Sequence, residues 1–423
     1  LFIIEKRLNR LDCIINNKNR SFLPVLLGTD ANAYGMAKSF HKAYGITSLS
    51  LGKAPLLETK RSNIVKVMTF HNFDHDEVFR KYIQEVGETY GKEYKKLLLI
   101  ACGDRYTELI VNNRDIIDKY FITNYIPKEM KAQLENKEDF YKICEQYGLD
   151  YPKTFIVTKA NKDNFTLPFS FPVAVKASNS IEYVDLEFEG KKKGYKADSL
   201  EELKRILSSV YNAGYTGNMI IQDFIPGDDS TMYVLNSYSD QNGNVRVMCL
   251  GHCVSEDYTP HGIGNYNAIV QEANSAIYKQ YQKFLEDLHY VGYSNFDMKY
   301  DERDGKYKVF EINIRQGRSS YFTTASGCNI AEYMAEDLIF HKQNELHYHN
   351  NPYLWLHIPP RLLLKYVSKN SYAQVKKLIR DKKYDYTLLY SKDFSIFRSI
   401  MIRRFYHMAY KKYKLYFNKR GMD

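Results

Sequence analysis

The stretch that most constrains this chain runs from Tyr293 to Arg315. It reads Tyr293-Ser-Asn-Phe-Asp-Met-Lys-Tyr300, a short turn, then Lys308-Val-Phe-Glu-Ile-Asn-Ile-Arg315. Apolar and polar residues alternate in both arms, the mark of two half-buried strands. Asn295, Asp297 and Lys299 share one face of the first arm, and Glu311, Asn313 and Arg315 one face of the second. The opposite faces, Phe296 and Met298 with Phe310, Ile312 and Ile314, are expected in a core. Gly305 closes the connection Asp301-Glu-Arg-Asp-Gly, which suits a hairpin loop of odd length with glycine in the left-handed position. An odd loop pairs residues whose numbers sum to an even value, so Asp297 falls opposite Glu311, with β-carbons about 5 Å apart. Two carboxylates that close repel unless a cation lies between them. A hard divalent ion such as Mg²⁺ fits, with Asn313 as a neutral oxygen ligand and Arg315 aimed at phosphate.

Alternating strands with a solvated outer face are common, and three features argue against that reading here. Asparagine is a poor strand former, yet Asn295 and Asn313 both lie inside strands. The second arm runs directly into Gln316-Gly-Arg-Ser-Ser320, a small turn rich in donors. The third feature is an ordered set of motifs upstream.

With 423 residues the chain is too long for one small core, so two or three domains are expected. The composition is globular, with 44% hydrophobic and 26% charged residues and 38 Tyr. No apolar run reaches the roughly 18 residues needed to span a bilayer. The opening Leu1-Phe-Ile-Ile-Glu-Lys-Arg7 is too short in apolar residues for a signal peptide, and its lack of Met suggests a trimmed or non-standard start. The six cysteines lack metal-finger spacing and read as reduced thiols in a cytoplasmic protein. Residues 361–423 hold 17 Lys/Arg against 4 Asp/Glu, a balance of +13, which leaves residues 1–360 at −3 within the chain's net +10. The basic character belongs to the tail.

Residues 1–20 are polar and read as an extension. Residues 21–125 read as an α/β domain: a buried strand Phe22–Gly28, a helix from about Ala33 to Tyr44 capped at Thr29-Asp30, a strand Lys96–Gly103, and a helix to Asn112 capped by Asp104. Gly28 and Gly103 stand where parallel sheets bind ligands, although tight turns explain them as well, and no G-x-G-x-x-G is present. Residues 126–350 carry a helix Lys137–Tyr147, strands at Thr154–Val157 and Phe171–Lys176, and an alternating hairpin over Asn179–Lys196. A helix Leu200–Tyr211, the strand Asn218–Ile225, the turn Pro226–Asp229 and two further strands lead to a helix Ser275–Leu288 and the acidic hairpin. Residues 351–423 form the basic segment.

Lys176 ends an apolar strand, where a lysine is costly unless paired, so it is expected to meet an anion. A basic hairpin, the apolar-then-acidic Ile220–Asp229 and the Asp…Glu-x-Asn-x-Arg hairpin follow it. This ordered set resembles the ATP-grasp superfamily over about residues 126–345, in which two α+β subdomains clamp ATP. The resemblance implies an α/β plus α+β protein: an N-terminal Rossmann-like domain, a two-subdomain ATP-grasp fold and a basic helical C-terminal segment. Pro24–Ala37, Gln222–Ser230, Asn295–Asp301 and Phe310–Ser320 are similar to the D-aspartate ligases of Gram-positive bacteria. Those ATP-dependent enzymes of peptidoglycan synthesis join D-aspartate, through its side-chain carboxylate, to the lysine ε-amine of UDP-MurNAc-pentapeptide. The phosphate lid departs from the usual glycine-rich pattern and reads Ser178-Asn-Ser-Ile-Glu-Tyr183.

The resemblance then implies roles. Lys137 and Lys176 would contact ATP phosphates, with a solvated lysine and a buried ion pair as the respective alternatives. Gln222, Asp223, Phe224 and Ile225 would meet adenine, largely through backbone, and would also serve as an ordinary core strand. Asp229 would reach the ribose, or simply form its turn. Asp297, Glu311 and Asn313 would hold Mg²⁺, or Mn²⁺ in its place. Arg315 would stabilise the transferring phosphate, and Arg318, Ser319 and Ser320 would hold the aspartate carboxylates. A carboxylate attacking the γ-phosphate gives an acyl phosphate, which the amine then opens; no side-chain nucleophile is required.

Three rival readings also fit the sequence: an ATP-grasp ligase for another amino acid or acceptor, a nucleotide-binding protein without catalysis, and nucleic-acid binding through the tail. The last is disfavoured. Over Phe394–Tyr416, Phe397, Ile400/Met401, Phe405 and Met408 recur at helical spacing among Lys and Arg. That pattern suits a helix packed on the catalytic body, one docked on the anionic inner face of a membrane, or one that attracts the anionic precursor.

Overall fold

The computed structural model describes residues 21–259, 262 and 264–419; the expected extension over 1–20 lies outside them. The first unit is a parallel sheet of order β3-β2-β1-β4, from β1 (Phe22–Leu27), β2 (Ser48–Gly52), β3 (Val65–Thr69) and β4 (Lys96–Ala101). β1 and β2 are buried throughout, as strands covered on both faces must be. Helix α1 (Ala31–Tyr44) starts where Asp30 accepts from the amides of Asn32 and Ala33, and ends at Gly45 with φ 67°. A side chain at Gly35 would place Cβ 3.2 Å from that of Tyr321, so glycine permits the close approach of α1 to the next unit. α2 (Asp76–Tyr90) leads into β4, and α3 (Asp104–Asn112) and α4 (Arg114–Tyr120) follow it. Gly103, and not the expected Asp104, is the cap residue of α3.

After α5 (Lys128–Glu135) and α6 (Lys137–Gln146), a small antiparallel sheet of order β5-β8-β6-β7 forms. Its strands are β5 (Thr154–Val157), β6 (Val173–Ala177), β7 (Tyr195–Ala197) and β8 (Met219–Asp223). The hairpin expected over Asn179–Lys196 is absent. One helical turn, α7 (Ser180–Val184), and an irregular stretch stand there instead. The Tyr183 hydroxyl lies 2.7 Å from both the Lys192 carbonyl and the Tyr195 hydroxyl, so side chains close this loop in place of a ladder. α8 (Leu200–Asn212) covers the sheet through Leu203, Leu207 and Val210.

The large sheet runs β13-β12-β9-β10-β11-β15-β16, with β14 beside β10. Its strands are β9 (Met232–Ser239), β10 (Val245–Glu256), β11 (Tyr266–Glu272), β12 (Gly292–Asp301), β13 (Lys306–Asn313), β14 (His347–Tyr348), β15 (Leu354–Leu356) and β16 (Tyr384–Tyr386). α9 (Ser275–Asp287) packs Tyr281 and Phe284 against Phe296. α10 (Tyr321–Ala325) and α11 (Ile330–Leu338) lie between β13 and β14. The sheet does not stop at residue 350, where a boundary was expected, because the fully buried Leu354-Trp-Leu356 pairs with β11. α12 (Pro360–Tyr366) and α13 (Lys369–Arg380) then precede β16, and the chain closes with α14 (Ile396–Tyr416).

The acidic hairpin reaches its expected register by another route. Four residues, 302–305, link the strands, and Asp301 pairs with Lys306. A bulge at Phe310 then shifts the ladder by one, so that Asp297 faces Glu311 and Asn295 faces Asn313. The bulge also exchanges two side chains: Val309 is fully buried in the core, whereas Phe310, expected there, is only half-buried.

α14 divides the expected stripe: Phe405 packs against the core. Arg398, Ile402, Ala409 and Tyr413 face the body, while Phe397, Ile400 and Met408 are 65%, 44% and 47% exposed. The five cysteines among the described residues are buried, and none forms a disulfide with another described residue.

Candidate active site

Asp297 and Glu311 project from adjacent strands on the face that looks toward the small sheet. Asp297 accepts from the Tyr266 hydroxyl at 2.8 Å and from Asn313 Nδ2 at 3.1 Å. Asn313 Nδ2 also lies 3.0 Å from Asn295 Oδ1, and Asn295 donates to Asn236 Oδ1 at 3.1 Å. Three directly paired residues on β9, β12 and β13 thus form an amide ladder behind the carboxylate. This explains why poor strand formers sit in these strands: their amides orient Asp297.

Cations face this pair. Lys137, the first residue of α6, places Nζ 2.7 Å from Glu311 Oε2. Lys176 on β6 sets its ammonium 4.9 Å from the centre of the Phe310 ring and makes no hydrogen bond to a described residue. Burial, then the Lys137 charge, lower its pKa to about 8. The Lys137 charge holds the Glu311 carboxyl below its usual range, while burial and the Glu311 charge raise Asp297. Lys193 adds a third positive charge to this field.

Among the described residues no group of three His, Cys, Asp or Glu could hold a metal alone. Asp297, Glu311 and Asn313 offer two carboxylates and an amide, which suits a hard cation that takes its remaining oxygens from a phosphate. The raised Asp297 and the unbonded Lys176 ammonium fit the same pair of ligands, a cation beside the acids and an anion beside the lysine.

Arg315 reaches the other domain. Its Nε lies 2.6 Å from Asp104 Oδ1, and its Nη2 donates to Oδ2 at 2.8 Å. Gln316 fixes the same junction, accepting from Asn32 Nδ2 at 2.9 Å and donating to the Ala101 carbonyl at 3.0 Å. Arg318 donates to the Tyr266 carbonyl at 2.8 Å, while its buried Nε has no hydrogen-bond partner among the described residues. Burial lowers its pKa against the opposing pull of Asp257, Asp30 and Glu58. Ser319 is buried beside it. Ser320 accepts from the Gly317 amide at 2.7 Å and meets Asn236 at 2.5 Å, so its hydroxyl shapes the turn.

Gln222 is buried and donates to Tyr141 and Thr154, so its side chain belongs to the core. Arg303 binds the Asp223 carboxylate with both Nη atoms, at 3.1 and 2.9 Å. Phe224 lies between Lys196 and Lys299, 5.4 and 5.5 Å from its ring centre, and Ile225 is buried. Asp229, expected at the ribose or in its turn, bonds within the protein. It is buried, and its Oδ2 accepts from the Glu256 amide at 2.9 Å and the Tyr258 hydroxyl at 2.5 Å.

Sequence reasoning missed Asp104 as a partner of Arg315, Tyr266 as the group that orients Asp297, and Asp30 as an acid near both arginines. Asp30 and Asp104 carry a usable signal, since both follow a glycine at the carboxyl end of a parallel strand. Tyr266 carries none.

The family of the carbamoyl-phosphate synthase L chain ATP-binding domain matches residues 136–336. A protein from Enterococcus faecium (strain Aus0004) named D-aspartate ligase is 44% identical over 412 residues, which cover 95% of this chain and 98% of that protein. Among solved structures, the L-amino acid ligase from Bacillus licheniformis superposes with a TM-score of 0.54 at 14% identity, over 76% of this chain and 75% of that one. The biotin carboxylase domain of the Hydrogenobacter thermophilus 2-oxoglutarate carboxylase, solved with MgADP and bicarbonate, gives 0.56 at 14% identity over 78% and 72%. At that identity these two likenesses speak for the fold alone. The fold and the 44% identity together make this chain a member of the D-aspartate ligase family, carboxylate-amine ligases of ATP-grasp architecture.

Proposed function

We propose that the enzyme joins the side-chain carboxylate of D-aspartate to the lysine ε-amine of UDP-MurNAc-pentapeptide, at the cost of ATP, in the cytoplasmic phase of peptidoglycan synthesis. One observation carries the reading: Lys137 and Lys176 stand beside the facing carboxylates Asp297 and Glu311, and Arg318 bonds the carbonyl of Tyr266, whose hydroxyl meets Asp297. A relative of 44% identity bears the name of the activity.

In this reading the backbone of Asp223, Phe224 and Ile225 lines the base, and Lys137 and Lys176 bind phosphates. Lys137 leaves Glu311 for the nucleotide, so Glu311 becomes available to the metal. Asp297, Glu311 and Asn313 would hold Mg²⁺ or Mn²⁺, which supplies neutralising charge at the phosphate oxygens. Arg315 exchanges Asp104 for the transferring phosphate, and Arg318 with Ser319 holds the aspartate. A side-chain carboxylate oxygen attacks the γ-phosphorus and ADP leaves. The lysine amine then attacks the acyl carbon, and phosphate departs with the oxygen it received.

The test is ADP release with D-aspartate, L-aspartate and other amino acids, each with and without the precursor. The reading expects D-aspartate to be preferred and the precursor to complete turnover. Equal rates with both enantiomers, or activity with an unrelated amino acid only, would overturn it.

A further inference from the structure

The active site does not use the outer face of α14. The inner face is anchored firmly. Arg398, buried, pairs with the buried Asp393 at 3.0 Å, and Asp393 also accepts from Tyr34 at 2.7 Å and Ser62 at 2.9 Å. Further along, the Tyr413 hydroxyl lies 2.7 Å from Ser255 Oγ and 3.1 Å from Asn267 Nδ2. The helix is therefore a fixed part of the body, and what it shows outward is set by these contacts.

That outward face combines two properties. Phe394, Ile396 and Phe397 are 66%, 68% and 65% exposed at its start, and Ile400, Met408 and Leu415 continue the apolar exposure. Arg403, Arg404, Lys411, Lys412 and Lys414 are exposed on the same helix, which contains no Asp or Glu. Arg61 stacks on Phe397 at 4.9 Å and adds another cation. No helix among the described residues is long and apolar enough to cross a membrane.

We infer that α14 docks this protein peripherally on an anionic lipid surface. The cations would meet headgroup phosphates, and Phe394, Ile396 and Phe397 would enter the boundary between headgroups and acyl chains. Charge alone would suit any polyanion. The exposed isoleucines, leucine and methionine decide for lipid, because aliphatic side chains gain nothing against a phosphodiester backbone and gain burial in acyl chains. A helix clamped by Arg398 and Tyr413 needs no folding on contact, so docking carries little ordering cost.

Co-sedimentation of the full chain with vesicles tests this. With vesicles of phosphatidylglycerol and phosphatidylcholine, the protein should pellet at low salt and be released at high salt. Pure phosphatidylcholine should bind it far less. The triple substitution Phe394→Ser, Ile396→Ser, Phe397→Ser should weaken binding by about ten-fold or more while ADP formation in solution is retained. Arg403→Glu with Arg404→Glu, which leaves every apolar contact in place, should do likewise and carries the test if the triple variant folds poorly. No pelleting, equal pelleting with neutral vesicles, or binding that survives both variants would overturn the inference. A wild-type dimer that becomes monomeric in the triple variant would assign the face to a second copy and overturn it too.

Discussion

Lys137 Nζ stands 2.7 Å from Glu311 Oε2, against the carboxylate expected to bind a divalent cation. The lysine holds Glu311 ionised before any metal arrives, and it is itself a phosphate ligand in the proposed complex. Nucleotide and metal should therefore bind together, each freeing the partner the other needs. Glu311→Gln and Asp297→Asn are each expected to lower turnover by about 10²-fold or more, with partial recovery at high Mg²⁺ or Mn²⁺. The melting temperature of Glu311→Gln should stay near wild type, because Glu311 is 43% exposed, and in Asp297→Asn the amide oxygen can still accept from Tyr266. Near-normal rates in both variants at ordinary Mg²⁺ would remove the metal assignment.

Lys176 gives a pH prediction. Its pKa is lowered to about 8 by burial and the Lys137 charge, below the 10.5 of an exposed lysine. Between these values the folded protein binds fewer protons than the unfolded chain. Its contribution therefore opposes folding below pH 8 and is relieved as pH rises through that window. Nucleotide binding has the opposite dependence, because phosphate prefers the ammonium. ATP affinity should fall above pH 8 in wild type, and Lys176→Met should be weak and flat with pH. Titration of a non-hydrolysable ATP analogue across this range reads both outcomes, and a wild-type profile without the fall would count against Lys176 as a phosphate ligand.

Arg315 and Asp104 separate a catalytic partner from a resting one. Asp104 is 67% exposed, so the pair contributes at most about 1 kcal/mol of stability. Asp104→Asn should leave kcat within about three-fold of wild type, whereas Arg315→Ala should lower it by about 10² to 10³-fold. Similar losses in the two variants would show that the junction with the first domain, and not phosphate contact, is what Arg315 supplies.

The tail offers a stability test. Removing one member of a buried pair leaves an uncompensated charge, so Asp393→Ala should cost about 3–5 kcal/mol in denaturant unfolding. Tyr413→Phe should act differently. Its hydroxyl meets Asn267, which lies 3.5 Å from Arg318, so the KM for the amino acid should rise while that for ATP holds. Equal changes in both KM values would deny that route from tail to site.

The facing carboxylates were legible because period-two alternation and a glycine-closed turn are local signals. The loop parity was misread, and the bulge at Phe310 compensated for it; a bulge leaves no mark in an alternating pattern until the partner strand is known. The caps at Asp30 and Gly45 and the strand at Thr154–Val157 were also local, and stand as read. β15 and β16 were missed because three-residue strands carry no periodicity, and a basic composition masked them. The tail stripe left two faces open, and packing divides it. A buried arginine paired with aspartate took the body side, Phe405 packs beside it, and Phe397, Ile400 and Met408 face outward, the side a docked helix would present. Asp229 and Ser320 show the limit for single residues, since the Glu256 amide and Asn236 that they meet lie far off in sequence and no local pattern marks them.

The central claim is that this site activates a carboxylate by phosphorylation. D-aspartate labelled with ¹⁸O in its side-chain carboxylate tests it most directly, with the inorganic phosphate analysed by mass spectrometry after turnover with ATP and the lysine-bearing precursor. The account predicts one ¹⁸O in each phosphate released, and an amide that retains the other. Phosphate free of label during productive ligation, or label found in AMP, would contradict it.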